Sequence, residues 1–456
     1  FTRSLEAAYL VMHDRCQNRK NVDDIYINHK LVLSDSRVEV KKISVQAPPT
    51  EIERKLINYY QSGLYHEVET LALSITREFP EYQFGWKILG VILSQTNRYS
   101  EALKASQIAL NLMPEDPTAH ANLAITLKLM GKLEEAETSY RKAIVLNPSY
   151  HQAYYNLGST LELLGRFEEA ETSFRKAIVL RPDYAEAYNN LGNTLQEQGR
   201  LDEAEICSKK AIAMNSNHYE AHNNLGNILL AQDKLKEAEA SYRHVIAIKP
   251  DYAIGHYNLA NALGVMGRSG EAEVSYRQAI VLKPDYADAY NNLGNEFKNM
   301  DRLEEAEGSY RQAILAKPDS VEAHKNLGIV LSNLKKWDEA LISYEHATAL
   351  DPDMDYLLGS TFLARQQLCE WDRFSQDLEA VTQRISHGER ASAPFALHAL
   401  VDNPDIHGKC SELYSEHLAP KSTKLPSINP YPHHKKVRVG YFSPDFKNHA
   451  VASLTA

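Results

Sequence analysis

Cysteine is scarce. The 456 residues hold four, Cys16, Cys207, Cys369 and Cys410, far apart and with no CxxC pair. That pattern excludes a disulfide framework and a thiolate metal site, and it reads as the reduced thiols of a cytoplasmic protein. No apolar run approaches the ~20 residues that a membrane-spanning helix needs, so no membrane partner is expected. The chain has no GxxxxGK[ST], no GxGxxG and no HExxH, which removes the common phosphate-loop, dinucleotide and zinc-hydrolase readings. His433-His434 lacks metal-ligand spacing, and no metal or cofactor is expected. Positive charge is also in short supply: 50 Lys and Arg stand against 60 Asp and Glu, for a net charge of −10. With no basic stripe, nucleic acid is not an expected partner.

What the chain has is repetition. One unit of 34 residues is written eight times over residues 83–354 without an insertion. In the copy that begins at His151, Leu157-Gly158 lies in a first helix, Gly165 closes it, and Ala170, Phe174 and Ala177 mark a second helix that Pro182 ends. The marks return as Leu191-Gly192, Gly199, Ala204 and Ala211, and in the last copy as Leu327-Gly328, Ala340, Tyr344, Ala347 and Pro352. This period and pattern are those of the tetratricopeptide repeat, a helix–turn–helix hairpin. Small residues at the eighth and twentieth positions let the two helices approach, and an aromatic at the twenty-fourth fills the gap. The fifteenth position is Asn97, Gly131, Gly165, Gly199, Asp233, Gly267 or Asp301 in the first seven copies. These types tolerate the left-handed backbone at a helix C-terminus. One hairpin cannot bury its apolar face, but stacked hairpins bury each other's. The expected fold is therefore all-α, a right-handed tetratricopeptide-repeat superhelix with a concave face.

The candidate binding residues sit on the first helix. At about 100° per residue, the sixth position points away from the packing positions. It is Asn in seven consecutive copies: Asn122, Asn156, Asn190, Asn224, Asn258, Asn292 and Asn326. The ninth position adds Asn193, Asn227, Asn261 and Asn295. Asn is a poor helix former. Duplication alone would copy it passively. The sharper reading is a ladder of exposed amides, each offering a donor and an acceptor to a peptide backbone. Helices roughly 10 Å apart meet about every third residue of an extended chain. Such a groove takes protein or peptide partners with little sequence choice. The histidines at the fourth position (His120, His222, His256, His324) alternate with Trp86, Tyr154, Tyr188 and Tyr290 and read as packing residues. The recurrent Glu-Glu-Ala and Arg-Lys-Ala segments read as solvated surface.

The flanks differ. Residues 50–82 keep the frame but lack the Leu-Gly pair, as a capping repeat should. Residues 355–432 read as a helical connector followed by a Pro-rich extended stretch. Trp371 is expected on the last hairpin, and a break is expected at Pro404. Residues 433–456 change in kind. Lys436 to Phe442 alternates like a strand, a polar loop with His449 follows, and a helix opens after it, as an α/β domain begins. At the other end residues 1–28 carry an amphipathic helix, with Phe1, Leu5, Ala8, Tyr9, Met12 and Cys16 on one side, and 29–49 read as linker. The chain starts without Met and is expected to be part of a longer protein.

The repeat array, the Cys369-Glu370-Trp371 connector and the segment VRVGYFSPDFKNHAVASL together resemble the protein O-GlcNAc transferases and their bacterial relatives, from about residue 50 onward. The resemblance implies that residues 433–456 open the first lobe of a truncated glycosyltransferase domain, with His449 in its active site. It implies a nucleotide-sugar donor, UDP-GlcNAc, bound outside this chain, and transfer to Ser or Thr hydroxyls of proteins held along the Asn ladder. Residues 1–28 resemble the closing helix of an upstream catalytic domain of the same family. Ala450 to Ser453 replaces a more polar stretch in the animal members, which leaves the sugar and acceptor open. A non-catalytic repeat scaffold and an O-fucosyltransferase relative are the alternatives.

Overall fold

The computed structural model describes residues 50–397 and 401–418. The expectations for residues 1–28, 29–49 and 433–456, His449 included, lie outside them. Every regular element among the described residues is helical. The chain divides into two compact units, Phe1–Pro318 and Asp319–Ala456.

In the first unit, residues 50–82 form the hairpin Thr50–Gln61 and Tyr65–Glu78. Seven repeats follow, each with a first helix (helix A) of 13 residues and a second (helix B) of 14, such as His151–Leu163 and Phe167–Leu180. The turn between them is the same in every repeat. Residue fifteen takes a left-handed backbone, from Gly131 at φ 76° to Asp301 at 59°. The next amide then reaches back to a carbonyl five residues earlier, as Arg166 does to Leu161 at 2.9 Å, which satisfies an otherwise orphaned helix end. Even Lys335, a residue type with no preference for that region, adopts φ 60°. The hydrogen bond and the hairpin geometry outweigh the steric cost of its Cβ.

Inside each hairpin the small residues let the helices close as expected. The position-twenty alanines Ala136, Ala170, Ala204, Ala238, Ala272 and Ala306 are fully buried. A Cβ on Gly158 would stand 2.8 Å from the Phe174 ring, and one on Gly226 would stand 2.5 Å from Tyr242. The first two repeats are also tied by a buried ion pair, Lys87 Nζ to Asp116 at 3.0 Å. Asp116 at the same time caps the helix Pro117–Leu129 by accepting from the Thr118 amide at 2.8 Å.

The second unit holds the eighth repeat, Val321–Asn333 and Trp337–Leu350, then helices Leu357–Gln367, Phe374–Ser386 and Pro404–Leu418 with a 3-10 turn at Pro394–Ala396. The last three helices close over a small core of Phe362, Val381, Ile385, Leu397 and Cys410. Trp371 departs from expectation. It is 55% exposed and lies against Phe374, with ring centroids 5.6 Å apart. The chain turns at Cys369, which has φ 59°, and the indole stays at the surface of the connector's own core.

Candidate peptide-binding groove

Within the first unit, helices A of successive repeats touch one another directly, and no two helices B meet as closely. The stack therefore curls with helices A inside, and the sixth and ninth positions belong to that face.

The ladder is less exposed than its helical angle predicts. Asn156, Asn190, Asn224, Asn258 and Asn292 are half-buried and Asn122 is buried. The reason is that neighbouring helices A are near enough for the amides to bond to each other. Asn224 Nδ2 donates to Asn189 Oδ1 at 2.8 Å and Asn258 Nδ2 to Asn223 Oδ1 at 2.9 Å. Asn190 and Asn292 donate to the hydroxyls of Tyr155 and Tyr257 at 3.2 and 3.1 Å. In each case the partner is the fifth-position residue of the preceding repeat. Asn122 has no such partner, because that position is Lys87, committed to Asp116 and Thr118. Both polar atoms of its amide are buried without a hydrogen bond among the described residues. Asn326 belongs to the second unit, where it is half-buried.

The ninth-position residues have a role that their spacing does not reveal. Asn227, Asn261 and Asn295 accept from the hydroxyls of Tyr242, Tyr276 and Tyr310 in their own repeats, at 2.7, 2.6 and 2.8 Å. Asn227 and Asn261 also accept from the sixth-position amide of the next repeat, at 3.3 and 3.1 Å. Tyr, Asn and Asn thus form a relay within and between hairpins. Co-occurrence of Asn at nine with Tyr at twenty-four is visible in the sequence and is the signal that could have found it. Where the pair is broken, the outcome changes. Tyr140 shares its repeat with Ile125 rather than Asn at position nine, and its hydroxyl is buried without a partner among the described residues. Asn193 shares its repeat with Ser208 rather than Tyr.

Three ladder-face groups in repeats two to four keep their full hydrogen-bonding capacity or nearly so. The side-chain amides of Asn156 and Asn193 make no hydrogen bond among the described residues, and both residues are half-buried. Among the described residues Lys128 Nζ bonds only to Ser159 Oγ, at 2.8 Å. Burial lowers the Lys128 pKa, with Glu162 opposing the effect. Glu162, in turn, is pushed up to about 7 by burial, against the Thr194 hydroxyl bond (2.6 Å) and the attraction of Lys128.

One further expectation needs correcting. The fourth-position histidines are more than packing residues. His120, His222 and His256 bond through Nε2 to the carbonyls of Pro114, Ser216 and Pro250 at 2.9, 3.1 and 3.0 Å. Trp86 donates likewise to Pro80 at 2.8 Å. Each ring pins the end of one helix B to the start of the next helix A. His324 is buried and stacks on His346. The Glu-Glu-Ala and Arg-Lys-Ala segments are solvated, with Glu134, Glu135, Glu168, Glu169, Arg141 and Lys142 exposed, but the glutamate that follows Glu-Glu-Ala is held in place. Glu137, Glu171, Glu239 and Glu273 are each held between an Arg four residues on and the sixteenth-position Arg of the next repeat. Glu205 is held the same way by Lys209 and Lys234, which bring its pKa down to about 2.

No group of three metal-ligating side chains occurs among the described residues, and no described helix is long and apolar enough to cross a membrane.

Tetratricopeptide-repeat family models match residues 126–165, 149–217, 183–251, 266–301, 287–320 and 321–354. No curated protein matches. Among solved structures, the Cut9-Hcn1 hetero-tetramer of APC/C is similar at 15% identity, over 59% of this chain and 52% of that one, with a TM-score of 0.48. YrrB, described as a TPR protein with an unusual peptide-binding site, is similar at 26% identity, over 41% of this chain and 96% of that one, with a TM-score of 0.35. TTC0263, a thermophilic TPR protein of Thermus thermophilus, is similar at 24%, over 40% and 99%, with a TM-score of 0.36. Over residues 126–251 and 266–354, which the family models cover between them, the chain is an array of tetratricopeptide repeats.

Proposed function

We propose that the repeat array binds extended segments of other proteins along the helix-A face, chiefly through main-chain hydrogen bonds to side-chain amides. The observation that carries this reading is the pair Asn156 and Asn193, whose amides have no internal partner among the described residues although Asn190, Asn224 and Asn258 are bonded repeat to repeat. Asn224 and Asn258 donate across the stack but accept nothing on Oδ1 among the described residues, so they offer an acceptor as well. Each bond to a guest contributes about 0.5–1.5 kcal/mol net. Binding is therefore spread over several repeats and tolerant of sequence. Replacing Asn156 and Asn193 together by Ala should weaken binding of an extended peptide about tenfold by fluorescence anisotropy, on the scale of two such bonds, with the thermal midpoint little changed. Unaltered affinity removes the amide face as the binding surface.

A wider reading rests on sequence alone. In it the array serves a protein O-glycosyltransferase that moves N-acetylglucosamine from UDP-GlcNAc to Ser or Thr, with His449 in its active site. The motif around residues 437–449 supports it. The test is transfer of labelled sugar by a protein that carries this motif together with the rest of such a domain. Loss of transfer in His449→Ala with unchanged repeat stability supports the reading. Transfer that persists in that variant removes His449 from the chemistry, and absence of any transfer leaves a binding scaffold.

A further inference from the structure

The Lys128 ammonium differs from the ion-paired arginines of the first unit. On the outer face, Arg166, Arg200, Arg268 and Arg302 each meet two glutamates. Lys128 meets no carboxylate within ion-pair distance among the described residues, only the Ser159 hydroxyl at 2.8 Å. It is half-buried on the helix-A face, in the second repeat. Ser159, which holds it, lies three residues from Asn156 on the same helix and hence on the same face. A guest backbone bonded at Asn156 therefore brings a neighbouring side chain within reach of Lys128 Nζ. The next free amide, Asn193, lies one repeat on, so the chain continues past the lysine rather than stopping there.

We propose that Lys128, with Ser159 and Glu162 beside it, is a subsite for an acidic side chain of the bound segment. An Asp or Glu carboxylate would take the ammonium hydrogens that the protein leaves unused, as a charge-assisted hydrogen bond. The inference rests on the peptide-binding reading and adds a side-chain preference to a face that otherwise reads only backbone.

Glu162 makes the subsite sensitive to pH. The groups that act on it are Thr194 and Glu197 from the following helix A and Lys128 from the preceding one. Burial holds its pKa up at about 7, so at pH 6 it is mostly neutral and leaves Lys128 to the guest. Above pH 7 it becomes an anion beside the same lysine, competes for its charge and repels the incoming carboxylate.

The experiment uses N-acetylated, C-amidated peptides of Ser, Thr and Pro, with a single glutamate walked along the sequence, against the same peptides with glutamine. Anisotropy titrations at pH 6 and pH 8 are run on the 456-residue chain and on Lys128→Gln and Lys128→Met, with circular dichroism as the folding control. One glutamate position should bind about tenfold tighter than its glutamine counterpart at pH 6, the scale of one hydrogen bond to a charged group. The advantage should shrink at pH 8 and vanish in both variants. Equal binding of the two peptide series overturns the subsite, and if that binding still falls in Asn156→Ala with Asn193→Ala, the amide face survives without it. A preference that appears only with a free C-terminus assigns Lys128 to a chain end and overturns the side-chain reading. No binding of any peptide overturns both.

Discussion

Repeats two to four and repeats five to seven share a backbone and a residue pattern, yet their inner faces are in different states. In repeats five to seven the ninth-position Asn is occupied by a tyrosine hydroxyl from its own hairpin, and in repeats five and six by an amide from the next as well. In repeats two to four the relay is interrupted by Ile125, Phe174 and Ser208; Asn156 and Asn193 make no side-chain hydrogen bond among the described residues, and Lys128 makes one, to Ser159. Where Tyr stands opposite, the ninth-position Asn ties helix A to helix B. Where it does not, at Asn193, the side-chain amide makes no hydrogen bond among the described residues.

The contrast breaks most plainly with paired substitutions at position nine. Asn227→Leu strands the buried Tyr242 hydroxyl, while Asn258 keeps its bond to Asn223, and should cost about 1–3 kcal/mol, the scale of one stranded group. Asn193→Leu strands nothing and should stay within about 0.5 kcal/mol of the parent. Urea unfolding measures both. Equal losses at the two sites would show that the relay is not what distinguishes these halves.

A smaller effect has opposite signs in the two halves. Tyr242→Phe gives up a bond to Asn227 and should destabilise by about 1 kcal/mol. Tyr140→Phe removes a hydroxyl that is buried without a partner, and should be neutral or stabilising by up to about 1 kcal/mol. The same sign at both positions would mean that Tyr140 has a bonded water in place of the missing Asn.

The smallest effect is in pH. Glu162 has a raised pKa, so its contribution is present below about 4.5 and is lost as pH rises through about 7. Glu205 has a lowered pKa, so its contribution is present above about 4.5 and is lost as pH falls towards 2. Midpoints of unfolding should therefore drift down between pH 5 and 8 by an amount that Glu162→Gln removes, and should fall at acid pH by an amount that Glu205→Gln reduces. A flat profile in the parent between pH 5 and 8 would put Glu162 in water.

The hairpins, their turns and their small-residue contacts are legible in the sequence because each depends on neighbours within one repeat. Gly158 against Phe174 and the left-handed turn at Gly165 are local facts, written at fixed offsets. The exposure of the ladder is not legible. A helical wheel turns Asn190 away from the mean direction of the packing positions, but it does not show that the preceding helix A comes close enough for Tyr155 to take its amide. The place of Trp371 is hidden for a related reason: its neighbour depends on how the chain turns at Cys369, which no periodicity encodes. The outer glutamates look solvated in the sequence because their second cation comes from the next repeat.

The sequence by itself determined the hairpin, its period and its core, since these follow from short-range sterics and from apolar spacing along one helix. Only the tertiary structure decided which polar side chains are used up within the array and which are left over. That depends on the few ångströms between successive helices A, a distance set by stacking rather than by any residue on its own.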